Sequence, residues 1–554
     1  MSDSKEISYG FGVKVAVLML IIVQYTMTIT TQITSYIMNY SLSLGEQFGY
    51  LYNQTDAIVY SLALVSGLAC TYLLKKFPKK YVAISGAVIM GFFGFLPFFT
   101  GTMGYLGTLI PRAFVGLGVG IIFPFAASYA VDLFKGGKES WMLGMRSVVG
   151  ACAGFFFMNA SAFIANLYYP INADGTYPFP SGAFLLPLIA FICILIMIIK
   201  LPNEGIIYSE ENQSKEEAVS VKPASSGLIY ASIAIMLVGV ALAIAYFVYN
   251  ALTNNPPLSI PDPAIANPMS WAIAVVFLLF AVVFIITMFK ISGTKNPGEG
   301  IGTKIKSNTW VFILANVLII GACNCMMSNV AQVVGGPVIA GVADWAPGIV
   351  AEQASNTAIY LGSDEALAGT VINTLTSWSM TADGPVPAVN IGNVMNAFTI
   401  AMLVSGFIFK PVWVGLFKRH AYTVGITMCG IGLLLLYVSV IAMANLPLAL
   451  VAAVIFGLGF QTYNGAVILR IAQSNDNKHV ALSTTYLMAF NGVGQTFGPV
   501  WIPGFIMLIT GAAFSDFMLF SRSWLFAGII LCVLAVLMGI YTTREKIYRP
   551  SATF

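Results

Sequence analysis

Leu109-Ile-Pro-Arg112-Ala-Phe-Val-Gly116-Leu-Gly118-Val-Gly120-Ile-Ile-Phe-Pro124 decides how the rest of the chain is read. It lies inside an apolar run over 103–131, long enough to cross a bilayer as a helix. Arg112 stands about two turns in from the outer end of that run, and no other cation lies as deep in an apolar stretch. A charge near the middle of a transmembrane helix costs about 2.5–3.5 kcal/mol on insertion scales, so it signals function or a firm structural role. Gly116 and Gly120 share one helix face and let a neighbouring backbone come close. A cation followed by close-packing glycines points to a charge anchored among helices, with substrate contact as one role and bonding to neighbouring carbonyls as the other.

Composition agrees with a membrane setting. Of 554 residues, 58% are hydrophobic and 9% charged, and the mean hydropathy is +0.86. Apolar stretches of spanning length fall at 13–38, 55–74, 81–100, 105–131, 142–166 and 182–200. Two more follow at 228–250 and 269–289, then six at 309–334, 393–417, 421–443, 447–469, 481–509 and 522–543. The expectation is fourteen transmembrane helices. With the N-terminus inside, Lys75, Lys76, Lys79, Lys80, Lys135, Lys138, Lys200, Lys290, Lys418, Arg419, Arg470 and Arg544 all fall on the cytoplasmic side. Among the outer connections Arg522 is the clear exception, and Glu46, Asp174, Asp262, Asp344 and Asp516 sit there. Both termini are therefore expected in the cytoplasm, in a multi-pass protein of the cell (plasma) membrane. The N-terminal span is too long for a cleaved signal peptide.

The seven cysteines lie in apolar runs without CxxC spacing, and the two histidines, His420 and His479, lie in polar connections. No metal, cofactor or nucleic-acid partner is expected. The segment over 202–227 is rich in Ser, Glu and Lys and reads as a cytoplasmic linker. The next two spans are bland and look like lipid-facing additions. A long connection, 335–392, carries five acids and no Lys or Arg, and could cap the outer mouth.

An internal repeat organises the spans. Phe114-Val-Gly-Leu-Gly-Val-Gly aligns with Ile455-Phe-Gly-Leu-Gly-Phe-Gln at an offset of 341, and Ser66-Gly-Leu with Ser405-Gly-Phe at 339. This predicts an all-α membrane protein: two pseudo-symmetric six-helix bundles over 1–201 and 309–554, with linkers and two added central helices over 202–308. Arg112 aligns with Ala453, so its charge is not repeated.

These motifs resemble the major facilitator superfamily, in its fourteen-helix form with two helices inserted between the bundles. Arg112-Ala-Phe-Val-Gly116 is similar to the family's fourth-helix Arg-x-x-Gln-Gly, with Val115 in place of Gln. Lys75-Lys-Phe-Pro-Lys-Lys80 stands where the family reads Asp-Arg-x-Gly-Arg-Arg; Lys75 replaces the Asp and Pro78 the Gly, which removes the acid of the family's loop latch. Gly150-x-x-x-Gly154 is followed by Phe, where drug–proton antiporters of the superfamily show Gly-Pro. The resemblance implies a central cavity lined by the first and fourth helices of the N-terminal bundle and the equivalent pair of the C-terminal bundle. It also implies alternating access, and an expected monomer.

Polar residues fall on those spans. Gln24, Thr28 and Gln32 recur at four-residue steps on the first span, Asn324 and Asn329 lie in 309–334, and Gln461 and Asn464 in 447–469. Such side chains line a cavity or bond helix to helix; cavity lining is the reading taken. Lys410 and Arg470 stand near the inner ends of their spans and are expected to snorkel to the interface. No Asp or Glu lies in the middle third of any span, and Asp56, at an outer end, is the coupling candidate if protons drive the cycle. A cavity with a cation and no acid suits an anion, because a guanidinium can make two parallel hydrogen bonds to a carboxylate or phosphate. The expected function is a secondary transporter of a small polar solute, an organic anion, anchored on Arg112. The alternative is a multidrug or lipophilic-compound exporter working as a proton-coupled antiporter. A membrane-embedded enzyme would need acid pairs, histidines or metal ligands within the spans, and these are missing.

Overall fold

The computed structural model describes residues 10–24, 59, 62–70, 72–73, 76–101, 105–133, 148–150, 152, 181–202, 226–253, 263–292, 305–339, 380–381, 384–385, 387–439, 446–474, 477–510 and 517–545. The protein is a nearly all-helical, multi-pass membrane protein. The described N-terminal elements are α1 (Phe11–Gln24), α2 (62–70), α3 (Lys79–Phe95), α4 (Tyr105–Leu133) and α5 (Ile189–Lys200). Then come α6 (Ser226–Thr253), α7 (Pro263–Ser292) and α8 (Ser307–Ile339). The last five are α9 (Pro387–Phe407), α10 (Ala421–Tyr437), α11 (Leu446–Ser474), α12 (Asn477–Thr510) and α13 (Phe517–Arg544). Among the described residues, seven helical stretches are long and apolar enough to cross a membrane. Between α8 and α9 the described part of the long connection is a two-residue antiparallel pair, β1 (Met380–Thr381) with β2 (Gly384–Pro385). Whether 335–392 caps the outer mouth lies outside the described residues.

Two expected spans are less regular than uniform helices. The sixth opens with a 3-10 segment, Ser181–Leu188, before α5. The span over 393–417 changes at Phe409–Val414 into a π-turn that contains Lys410 and Pro411. Pro411 has no N–H to continue the α-ladder, which explains a break at that place.

The repeat seen in the sequence recurs as a repeat of contacts. A Cβ built on Gly116 would run into the backbone of Val59, and one built on Gly457 into the backbone of Phe398. A Cβ on Gly118 would stand 2.8 Å from the Gly86 carbonyl oxygen, and one on Gly459 2.8 Å from that of Gly425. Both members of each pair are 341 residues apart, and the backbones that they touch are 339 apart. Thus α4 packs by glycine between α2 and α3 as α11 packs between α9 and α10.

The inner ends repeat a tie as well. The Tyr129 ring lies under the Lys79 ammonium, 4.0 Å from its centroid, and the Tyr129 hydroxyl donates to the Pro202 carbonyl just past α5 at 3.2 Å. At the matching position of α11, Arg470 pairs with Glu545, just past α13. Arg470 does not snorkel, contrary to expectation. It is buried against Phe312, and Glu545, itself bonded by the Ser474 hydroxyl at 2.9 Å, supplies the counter-charge that replaces water. Lys410 is exposed, as a snorkelling side chain should be.

The added hairpin α6–α7 has one packed stripe. Ile273, Phe277, Phe280, Phe284, Met288 and Ile291 recur every three or four residues and are buried, while Leu278, Leu279, Val282 and Ile286 are exposed. The stripe packs on α12 and α8, with Phe277 stacked on Trp501 at 5.3 Å. In contrast, α8 is apolar on all sides, and every residue over Ser307–Met326 is buried.

Candidate functional site

Arg112 is placed by a proline and a ring of small residues. Pro111 cannot donate to the Gly107 carbonyl, and the Thr100 hydroxyl takes that role at 2.6 Å. Gly116 turns toward α2 and Gly118 toward α3. At about 100° per residue, Arg112 lies roughly 40° round from Gly116 and almost opposite the exposed Ile110 and Phe114. The side chain is turned into the bundle and is 1% exposed. Its repeat partner Ala453 shares a face of α11 with Asn464, three turns further on, and Asn464 is half-buried. The charge in one half and the amide in the other therefore occupy corresponding faces of corresponding helices.

The remaining expected residues divide. Gln24 is buried on α1. Gln461 is buried on α11, about 60° from Asn464, toward α9. Asn324 donates to the Gln495 carbonyl of α12 at 2.8 Å. That bond joins two helices through the amide nitrogen of Asn324. The geometry favours it: Gly494 and Gly498 bring α12 against the carbonyls of Val317 and Gly321, which leaves a short amide able to span the gap. Asn329 lies within α8, with its side chain outside the described residues. Thr28, Gln32 and Asp56 also lie outside them.

A polar node joins three helices. The Tyr463 hydroxyl of α11 donates to Asn316 Oδ1 of α8, and Asn316 Nδ2 donates to Asn491 Oδ1 of α12 at 3.4 Å. Sequence reasoning selected none of the three. The available signal was that all three are hydrogen-bonding side chains within apolar spans, where a partner is required.

The N-terminal helices meet the C-terminal ones where α2 and α4 pack on α12. A Cβ on Gly67 would stand 3.0 Å from the Ala489 Cβ of α12 and 3.5 Å from the Gly120 carbonyl oxygen of α4. Leu64 of α2 belongs to the apolar cluster that otherwise comes from α6 to α13, and α4 packs against α12. Among the described residues no group of three His, Cys, Asp or Glu could hold a metal ion.

No protein-family model matches this sequence, and no curated relative matches it. Solved structures do resemble it in fold. A crystal structure of a peptide transporter POT aligns with a TM-score of 0.56 and 13% identity over 97% of each chain. A POT family transporter in complex with 5-aminolevulinic acid aligns at 0.54 and 10% identity, over 97% of this chain and 99% of that one. The POT family transporter PepTSo aligns at 0.55 and 11%, over 96% and 99%. At these identities the likeness is one of fold, and this chain has the fold of the POT family transporters, a fold of the major facilitator type.

Proposed function

We propose that this protein is a secondary active transporter that moves a small carboxylate-bearing solute, short peptides first among the candidates, by alternating access between two pseudo-symmetric halves. The observation that carries this is Arg112, buried and turned inward on a face that corresponds to the face of Asn464 in the other half. A guanidinium there offers a carboxylate two parallel, charge-assisted hydrogen bonds. The solved structures of like fold include complexes with 5-aminolevulinic acid and with a thioalcohol conjugated peptide. In this proposal Gln24, Thr28, Gln32, Asn324, Asn329, Gln461 and Asn464 supply polar contacts, and Asp56 is the candidate proton-coupling acid.

The fourteen-span count, the two six-helix bundles over 1–201 and 309–554, the insertion over 202–308, cytoplasmic termini, placement in the cell membrane and a monomeric state belong to the same proposal. A second solute class, organic anions with no ammonium group, is favoured by one observation: no Asp or Glu occupies the middle third of any span to receive an ammonium.

The test is uptake into proteoliposomes from a panel of a dipeptide, its N-acetylated and C-amidated forms, simple carboxylates and lipophilic cations. Uptake of the carboxylates and rejection of the C-amidated form supports the proposal. Uptake confined to the lipophilic cations would replace it with the exporter alternative.

A further inference from the structure

We propose that Asn316 is a positioning residue that makes α8, α11 and α12 move as one, so that a solute on the Asn464 face of α11 acts on the Gly67–Ala489 contact between α2 and α12. This rests on the transporter proposal above. The amide of Asn316 accepts from Tyr463 and donates to Asn491. An amide provides one acceptor and two donors on a single short side chain, which neither an acid nor an apolar residue reproduces. At one end of the node, Tyr463 directly precedes Asn464. At the other, Asn491 lies two residues from Ala489, the residue that meets Gly67 of the N-terminal half. Tyr463 and Asn316 are buried and Asn491 is half-buried, so loss of one member leaves the others short of a partner in low-dielectric surroundings.

In this proposal the Gly67–Ala489 contact between α2 and α12 opens and closes during the cycle. The node is a hydrogen-bonded connection between α12, which carries Ala489, and α11, which carries Asn464. Packing alone also joins these helices; the node adds a directional, register-fixing link.

The experiment uses Tyr463→Phe, which keeps the ring against Tyr422 and removes only the hydroxyl, with Asn316→Leu as the second variant. Spin labels at Lys76→Cys and Thr543→Cys, in a cysteine-free full-length background, report the width of the inner side. Uptake of alanylalanine into proteoliposomes gives KM and maximal rate. The expected result is a distance distribution broadened toward longer separations in both variants. Maximal uptake should fall about three- to tenfold while KM stays within about twofold, the size of one membrane hydrogen bond. A distribution identical to that of the parent would overturn the proposal, as would a loss of rate matched by an equal loss of thermal stability. If the parent takes up neither alanylalanine nor any other carboxylate of the panel, the transport proposal fails, and the distance measurement still decides the role of the node.

Discussion

Arg470 and Glu545 form an ion pair in which both side chains are buried, and it binds the inner end of α11 to the residue that follows α13. In the N-terminal half, Tyr129 and the Pro202 carbonyl make the same tie without charge. Thus α4 is fastened to the exit of α5 as α11 is to the exit of α13.

Removing one member of the pair strands the other. Arg470→Ala or Glu545→Ala is expected to cost about 3–5 kcal/mol, read as a lowered thermal unfolding midpoint in detergent. The double variant Arg470→Met, Glu545→Leu should recover most of it, because two charges pay heavily in lost hydration. A double variant no better than either single would show that the pair is indispensable in itself.

The pair also sets a pH dependence. Burial lifts the Glu545 carboxyl above its ordinary value of 4.5, while Arg470, the Ser474 hydroxyl and Arg419 pull it back. A raised value in the folded protein means that the native state holds this proton more tightly than the unfolded chain does. Its contribution is therefore fully present below 4.5 and is lost as pH rises through the raised value. Unfolding midpoints from pH 4 to 7 should show that decline in the parent, and Glu545→Gln should lack it.

The glycine contacts should be as equivalent in energy as they are in geometry. Gly116→Ala and Gly457→Ala force a methyl group against backbone, and each should cost about 1–3 kcal/mol or more. At Gly227, near the start of α6, an added Cβ meets nothing within 4 Å, and Gly227→Ala should be neutral or mildly stabilising. A cost at only one of the first two positions would break the energetic symmetry.

Thr100→Val removes the donor that Pro111 makes necessary at the Gly107 carbonyl. The expected loss is about 1–3 kcal/mol, the cost of an unsatisfied buried acceptor. Restoring the backbone donor with Pro111→Ala in the Thr100→Val background should return part of it. No recovery would place the role of Thr100 elsewhere.

Much of the fold was legible in the sequence, because membrane spans are long and every backbone group in them must be satisfied within the segment. The repeat was legible in Gly116, Gly118, Gly457 and Gly459, where the bare backbone contact requires glycine. Helix bonding was harder to read. The sequence shows that Asn324 needs a partner, but a backbone carbonyl 171 residues away carries no side-chain signal of its own. Arg470 was misplaced for a related reason: Glu545 looks like a solvated tail residue until the chain turns it back onto α11. The small-residue contact of Gly67 with Ala489 was also invisible, because neither residue is unusual in an apolar span.

The central claim is that Arg112 anchors a carboxylate, and the most direct measurement compares uptake of alanylalanine with uptake of its C-terminal amide in the parent and in Arg112→Gln. The account predicts that the parent prefers the carboxylate by about tenfold or more, the usual size of a charge-assisted hydrogen bond, and that Arg112→Gln, folded and monodisperse, loses the preference. An Arg112→Gln protein that keeps both the rate and the preference for the carboxylate would contradict it.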